Sequence, residues 1–293
     1  MQTRLSSLSL LSGCALLSGC LLLGCNEERG SNERRAIVRD DQALVLRVFR
    51  QDLSDGLVGV RRAADMMDRG FLVEDPAQRE RELRQVMRRV QQPPRAIQEL
   101  MVSPISFLAA VDTDGKVIAR DVEQSEDRMR RFDIGEVSPL VRRALAEGES
   151  GFELAELPSL LETDPPSVTV LFVAPARHEG RVVGAMVSGL PLWRLSQQLS
   201  RQLQLENAEA LRQGAQVWAT LYRGEDLHYH QSFPEGLREL APGAAAREQG
   251  LGGSPGGYTG EVQQYGRWYG YGVLPLPRLG EDIGVILFRS DPV

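Results

Sequence analysis

The feature that most constrains this chain is a change of hydrophobic period. Val45, Phe49, Leu53, Leu57, Val60, Ala64 and Met67 recur at steps of three and four, which places them on one stripe of a helix. From Ser106 the pattern changes to short apolar runs rich in β-branched residues, separated by turn residues. A long helix followed by strands that return through tight turns is an α+β chain with antiparallel sheets.

The helical part is read over residues 33–105. The first helix covers 33–70. Asp75-Pro76 then supplies an N-cap and a proline at the first helical position, and a second helix runs to about Gln92. Leu83, Val86, Met87 and Val90 face inward. Arg79, Arg81, Arg84, Arg88 and Arg89 lie among glutamates on a solvated face, and Pro93-Pro94 ends the helix. The stripe at 45–67 also offers a surface for pairing two copies.

The first sheet module is read over 106–200. Phe107–Val111 and Lys116–Arg120 form a hairpin about Asp112-Thr113-Asp114-Gly115, whose aspartates shape the turn. Val137–Ala146 reads as a helix. Ser167–Ala174 and Val182–Leu190 are strands joined by His178-Glu179-Gly180-Arg181, and a helix from Pro191 to Gln213 follows. The second, smaller module, read over 201–293, repeats the order of elements without repeating the residues. Val217–Tyr222 and Leu227–His230 pair about Arg223–Asp226, and strands follow at Tyr258–Val262, Gly266–Pro275 and Ile283–Arg289. Residues 234–257, rich in Gly, Ala and Pro, read as a loop or lid.

The first 25 residues are an address. Arg4 is the only charge before Glu27, and the run between is rich in Leu, Ser and Gly. The chain's three cysteines, Cys14, Cys20 and Cys25, all lie here. The remainder can therefore form no disulfide framework, thiolate metal site or cysteine nucleophile. Residues 1–24 read as a lipoprotein signal peptide and 25–32 as a polar tether. Leu22-Leu23-Gly24-Cys25 is the preferred lipidation sequence because charged and polar residues follow it. Leu17-Ser18-Gly19-Cys20 is the alternative, and an uncleaved membrane anchor is a third reading. Acyl chains add ~0.8 kcal/mol per buried CH₂, so a multiply acylated Cys25 holds a protein at a membrane. Expected localisation is the cell envelope, facing the periplasm, on either the inner or the outer membrane.

Chemistry is sparse. The net charge of −6 argues against nucleic acid. There is no Gly-x-Ser-x-Gly, His-Glu-x-x-His or phosphate-cradling loop, and Gly250–Gly257 lacks the Lys and Ser/Thr of a nucleotide loop. His228 and His230 alternate on an expected strand, too few for a closed metal site. No enzyme, metal or cofactor is expected. Arg120, Arg131 and Arg177 are the candidates for work, since a guanidinium at a sheet mouth can hold a carboxylate through two parallel hydrogen bonds. Phe132 joins Arg131 in that set. Trp193 and Trp268 read as core or rim packing.

The order of elements resembles the Cache family, the PAS-like extracytoplasmic sensor modules of bacterial receptors. Phe107–Asp121, the Pro139–Gly151 helix with its Gly-x-x-Gly end, and Val170–Leu195 carry the resemblance. Tyr265–Tyr269, Leu274–Pro277 and Gly284–Ile286 extend it to a double Cache. The resemblance implies two stacked modules, a small and possibly anionic ligand in the distal one, and a membrane receptor or kinase as partner. Family receptors continue into an output domain, whereas this sequence stops at Val293. Amino-acid-binding members carry a Tyr, Arg, Trp, Tyr cluster in the distal pocket. Here Arg120–Phe132 contains Arg130-Arg131-Phe132 and neither Trp nor Tyr. The alternative is an envelope scaffold whose Cache fold holds no ligand.

Overall fold

The computed structural model describes residues 14–121, 128–158 and 166–291, with side chains from residue 30 onward. Most of the expected signal peptide, and the side chains of Cys20 and Cys25, therefore lie outside the described residues. Helix α1 (Cys14–Phe71) has 58 residues and a length of ~87 Å at 1.5 Å per residue. It starts earlier than the expected residue 33 and includes the segment read as a tether. That segment contains no proline, and its two Glu residues and Arg29 favour helix. No helix among the described residues is long and apolar enough to cross a membrane.

Helix α2 (Pro76–Val90) starts as its sequence requires, with the Asp75 carboxylate accepting from Gln78 N–H at 2.7 Å. A short α3 (Gln98–Val102), which the sequence did not announce, packs on α1. The first sheet holds β1 (Phe107–Val111), β2 (Val117–Arg120), β3 (Gly151–Leu157), β4 (Ser167–His178) and β5 (Arg181–Pro191). In the β1–β2 turn Asp112 Oδ1 accepts from the N–H groups of Asp114 and Lys116 at 3.0 and 2.9 Å, and Gly115 takes φ +90°. Between β2 and β3 lie α4 (Ile134–Val137) and α5 (Pro139–Glu147). Ser138 caps α5 at Val141 N–H, 3.1 Å away, and Gly148 ends it in the left-handed region.

The expected single helix after β5 is two. α6 (Leu192–Glu206) and α7 (Ala208–Arg212) part at Asn207, whose amide donates to Leu203 O at 2.9 Å and Asp41 Oδ1 at 3.0 Å. The second sheet contains β6 (Val217–Arg223), β7 (Asp226–His228), β8 (Tyr258–Gln264), β9 (Arg267–Pro275) and β10 (Ile283–Ser290). Residues 234–257 are not a plain loop. They contain α8 (Glu235–Glu239) and α9 (Ala244–Gly253), because three successive alanines and a buried Arg247 outweigh the glycines.

The strand orders are β2-β1-β5-β4-β3 and β7-β6-β10-β9-β8, antiparallel throughout. The two orders match position for position, so the repeat of element order in the sequence is a repeat of topology. One continuous core joins the sheets. It contains Val38, Phe49, Leu53, Met67 and Phe71 of α1, Phe172 and Met186 of the first sheet, Leu195 and Leu199 of α6, and Ala219 and Leu287 of the second. The α1 stripe is therefore buried by the chain's own sheets. It is not a surface for pairing two copies, because its apolar groups are already removed from water.

Close approach has a visible cause. A Cβ at Gly56 would lie 2.5 Å from the tip of the fully buried Phe172 ring, and one at Gly59 would lie 2.6 Å from Leu100. Gly56→Val is expected to destabilise the fold by ~1–3 kcal/mol through overpacking, more than helix propensity returns. Urea unfolding of the variant against the wild type measures this.

Asp52 lies on the same inner side of α1. It is buried, and its Oδ2 has no hydrogen-bond partner among the described residues. Burial, reinforced by the Asp55 carboxylate, pushes its carboxyl up from 3.8 to about 7. The folded state then holds this proton more tightly than the unfolded chain. Its contribution to stability is fully present below about pH 4 and is lost as pH rises to about 7, by ~1.4 kcal/mol per unit. Unfolding at pH 5 and pH 8 should show Asp52→Asn gaining on the wild type at the higher pH.

Candidate ligand-binding site

The first sheet has two faces. One lies on α1. The other carries Phe107, Ala109 and Val111 of β1, Leu171 and Val173 of β4, and Ala185 and Val187 of β5. Leu140, Val141 and Ala144 of α5 cover it, with Met129 and Ile134 from the connection to β2. Alternation along the strands separates the two sets.

Arg120 is the last residue of β2 and pairs with Ala109, which turns its side chain to this second face. It is 4% exposed, and its guanidinium carbon lies 5.0 Å above the Phe107 ring. A cation at such a site is held by the negative face of the ring and by hydrogen bonding. Phe132 packs against the same apolar cluster. Arg131 takes φ +63°, and its N–H donates to Val117 O at 2.9 Å while Val117 N–H donates to Phe132 O at 2.9 Å. These bonds attach Arg131 and Phe132 to edge strand β2, with the Arg131 side chain exposed. Arg120, Arg131 and Phe132 thus share one edge of the sheet.

Arg177 stands apart. Three strand positions separate β4 from β2. Its guanidinium donates to Gly148 O at 3.2 Å and Gly180 O at 3.5 Å, closing the end of α5 onto the β4–β5 turn. Glu153 of β3 also reaches α5 and is already engaged there. Its Oε1 accepts from Ser138 Oγ and from Leu140 N–H at 3.0 Å.

The matching face of the second module is aromatic. Tyr222, Phe233, Tyr269 and Phe288 are buried there, with Trp218, Tyr229, Tyr258 and Tyr271 packed against them. Burial first, and then Tyr271, push the Tyr258 hydroxyl up to about 12, so it stays neutral. Arg247, 4% exposed, sits 4.3 Å above the Tyr222 ring and donates to the carbonyls of Pro242 and Gly224. Each module therefore buries one arginine against an aromatic ring on the face away from α1. The sequence singled out Arg120 as a candidate and did not single out Arg247, whose only signal is a lone cation among Ala and Gly.

The histidines do not form a pair. β7 ends at His228, whose pKa burial lowers, and His230 lies in the following turn, bonded to Ser232. Among the described residues no group of three His, Cys, Asp or Glu is placed to hold a metal. Trp193 and Trp268 are rim residues, 39% and 42% exposed; the first lies 5.9 Å from the His230 ring and the second under Arg34 at 5.3 Å.

No protein-family model matches the chain, and no curated protein matches it. Solved structures do. The ligand-binding domain of the Campylobacter jejuni chemoreceptor Tlp3 in complex with L-norvaline is similar with a TM-score of 0.53 and 10% identity, over 90% of this chain and 91% of that one. The same domain in complex with L-valine gives a TM-score of 0.52 and 9% identity over 91% and 94%. An extracellular ligand binding receptor from Desulfohalobium retbaense gives 0.51 and 13% identity over 87% of this chain. The present chain spans 40% of that receptor's length. At these identities the likeness is one of fold: a long N-terminal helix followed by two antiparallel five-stranded sheets, the α+β architecture of Cache-like sensor domains.

Proposed function

We propose that the chain is a lipid-anchored extracytoplasmic sensor. It binds a small carboxylate in the first, distal module and presents the occupied form to a receptor or kinase in the membrane. The observation that carries this reading is Arg120, a buried cation on the face of the distal sheet that α1 leaves free. Arg131 on the same edge adds a second cation, and a planar guanidinium fork matches a carboxylate. The fold supports the sensor role. The apolar leader ending at Cys25 supports the anchor and a periplasm-facing location.

The neighbour from Campylobacter binds L-valine and L-norvaline. An amino acid also needs an acceptor for its ammonium group. The Glu153 carboxylate on this face is taken by Ser138 and Leu140, so simple carboxylates are tested beside amino acids. Signalling then follows from differential affinity. A ligand that prefers one arrangement of the distal module against α1 shifts the population of that arrangement, and the partner reads the shift.

Thermal unfolding of the full chain with acetate, succinate, amino acids, amines, purines and sugars tests the reading. A carboxylate at ~100 times its Kd should add ~2.7 kcal/mol of stability. The gain should disappear in Arg131→Ala, an exposed change that leaves the core intact, and in Arg120→Gln. A flat response from folded protein would favour the scaffold reading, in which the apolar side chains of this face simply fill it. Mass spectrometry of the mature N-terminus tests the anchor: acylated Cys25 is expected, and Cys25→Ser should release the protein from membranes.

A further inference from the structure

A second cleft lies in the other module, along an unpaired strand edge. β7 pairs only with Leu221–Arg223, so the outer edge of β6 from Val217 to Ala219 has no strand partner. Helix α6 covers it. Ser200 Oγ accepts from Ala219 N–H at 2.9 Å, and the hydroxyls of Ser196 and Ser200 donate to Ala219 O at 2.8 and 3.0 Å. Gln204 donates to Val217 O at 3.0 Å. Three polar residues spaced by four thus replace a strand on an edge that would otherwise lie open.

Beside this seam is a cleft of about 130 Å³. Trp218 and Phe233 form its apolar floor, and Gln197, Arg201, His230 and Ser232 form its polar wall. Among the described residues no carboxylate lines it. The Ser232 N–H and hydroxyl both point to His230 Nδ1, at 3.2 and 2.8 Å. Nδ1 is therefore the acceptor, and this network assigns the proton of the neutral ring to Nε2. That N–H has no hydrogen-bond partner among the described residues. Nor does the Arg201 guanidinium have an ion pair among them, whereas Ser196, Ser200 and Gln204 are committed to β6. The uncommitted groups are a cation and hydrogen-bond donors above an aromatic floor.

We propose that this cleft binds a small carboxylate anion. Arg201 holds the carboxylate through its fork, His230 Nε2–H donates to it, and Trp218 and Phe233 take the short carbon chain. Size agrees with the class. The volume is well above the ~10–15 Å³ that one water needs and below the ~300 Å³ of a pocket for a drug-sized ligand. The ligand would connect α6, the helix between the two modules, to the segment after β7. The proposal uses none of the residues of the distal site and stands without it.

The test is a fluorescence titration of the full chain carrying Trp268→Phe, which leaves Trp193 and Trp218 as reporters, both beside His230 or in the cleft. The probe is sodium malonate at constant ionic strength, with neutral malonamide as the control. A saturable change in emission is expected with malonate and none with malonamide. Arg201→Gln, at an exposed position, should weaken binding at least about tenfold, the loss of one charge-assisted contact. His230→Gln, which keeps a donor, should weaken it less than His230→Ala. No saturable change, an equal response to malonamide, or an unchanged Kd in Arg201→Gln would overturn the proposal. A distal-site failure would leave the dependence on Arg201 untouched, so the two readings fail separately.

Discussion

Everything in this structure rests on the burial of one helix face against two sheets. The inner residues of α1 belong to a single core that also includes strands from both modules. Removing that face from water is the main favourable term the elongated arrangement has available. The fit differs along the helix. Against the first sheet it is close, with Gly56 admitting the Phe172 ring and Phe71 lying where a side chain at Gly184 would be. Against the second it is partly polar. Gln42 donates to Tyr258 O and Val273 O, while Asp41 receives Arg289 at 3.0 Å and Asn207 at 3.0 Å. A buried ion pair of this kind fixes geometry more than it adds stability, since desolvation offsets much of its attraction.

The two modules share a topology and differ in what they bury opposite α1. In each, an arginine lies against an aromatic ring. In the second module Arg247 donates to the carbonyls of Pro242 and Gly224 and so latches α9 to the β6–β7 turn. The surrounding face is filled with rings. In the first module the surrounding side chains are smaller, mostly Val, Ala and Leu, and the arginine ends an edge strand. Equivalent faces of one fold have thus become an aromatic core in one copy and a cationic edge above aliphatic side chains in the other.

The legible parts of the fold were those with a strong local period. The α1 stripe, the Asp75-Pro76 start and the Asp112–Gly115 turn each express their structure in neighbouring residues. β3 was missed because Gly151–Leu157 is an edge strand of Leu, Ala and Glu, with only Ala155 and Leu157 buried, so its composition favours helix and its alternation is weak. The break at Asn207 depends on Asp41, far away in sequence, and no local rule encodes it. The sites divide in the same way. Arg120 stood out as a candidate because it ends an apolar strand. Arg177 has the same residue type in a similar setting, but α5 supplies the carbonyl that occupies it. The cleft at Arg201 and His230 joins a helix to a turn across an exposed strand edge, and neither segment is unusual alone.

Helix α6 touches both modules. It packs on β4 and β5 of the first sheet, on α1, and on β6 of the second. Its polar contacts with β6 end on backbone groups, so sliding it along that edge would break hydrogen bonds at Ala219 and Val217 together. Its contacts with the first sheet are apolar and have no such register. On the proposed sensor role, a group bound opposite α1 that alters the distal sheet would act on α1 and α6 where they meet that sheet. Gly56 sharpens this coupling, because the Phe172 ring meets helix backbone there with no side chain between to absorb a displacement. Interfaces packed this closely change between discrete arrangements instead of deforming smoothly, which is the property that a two-state sensor requires.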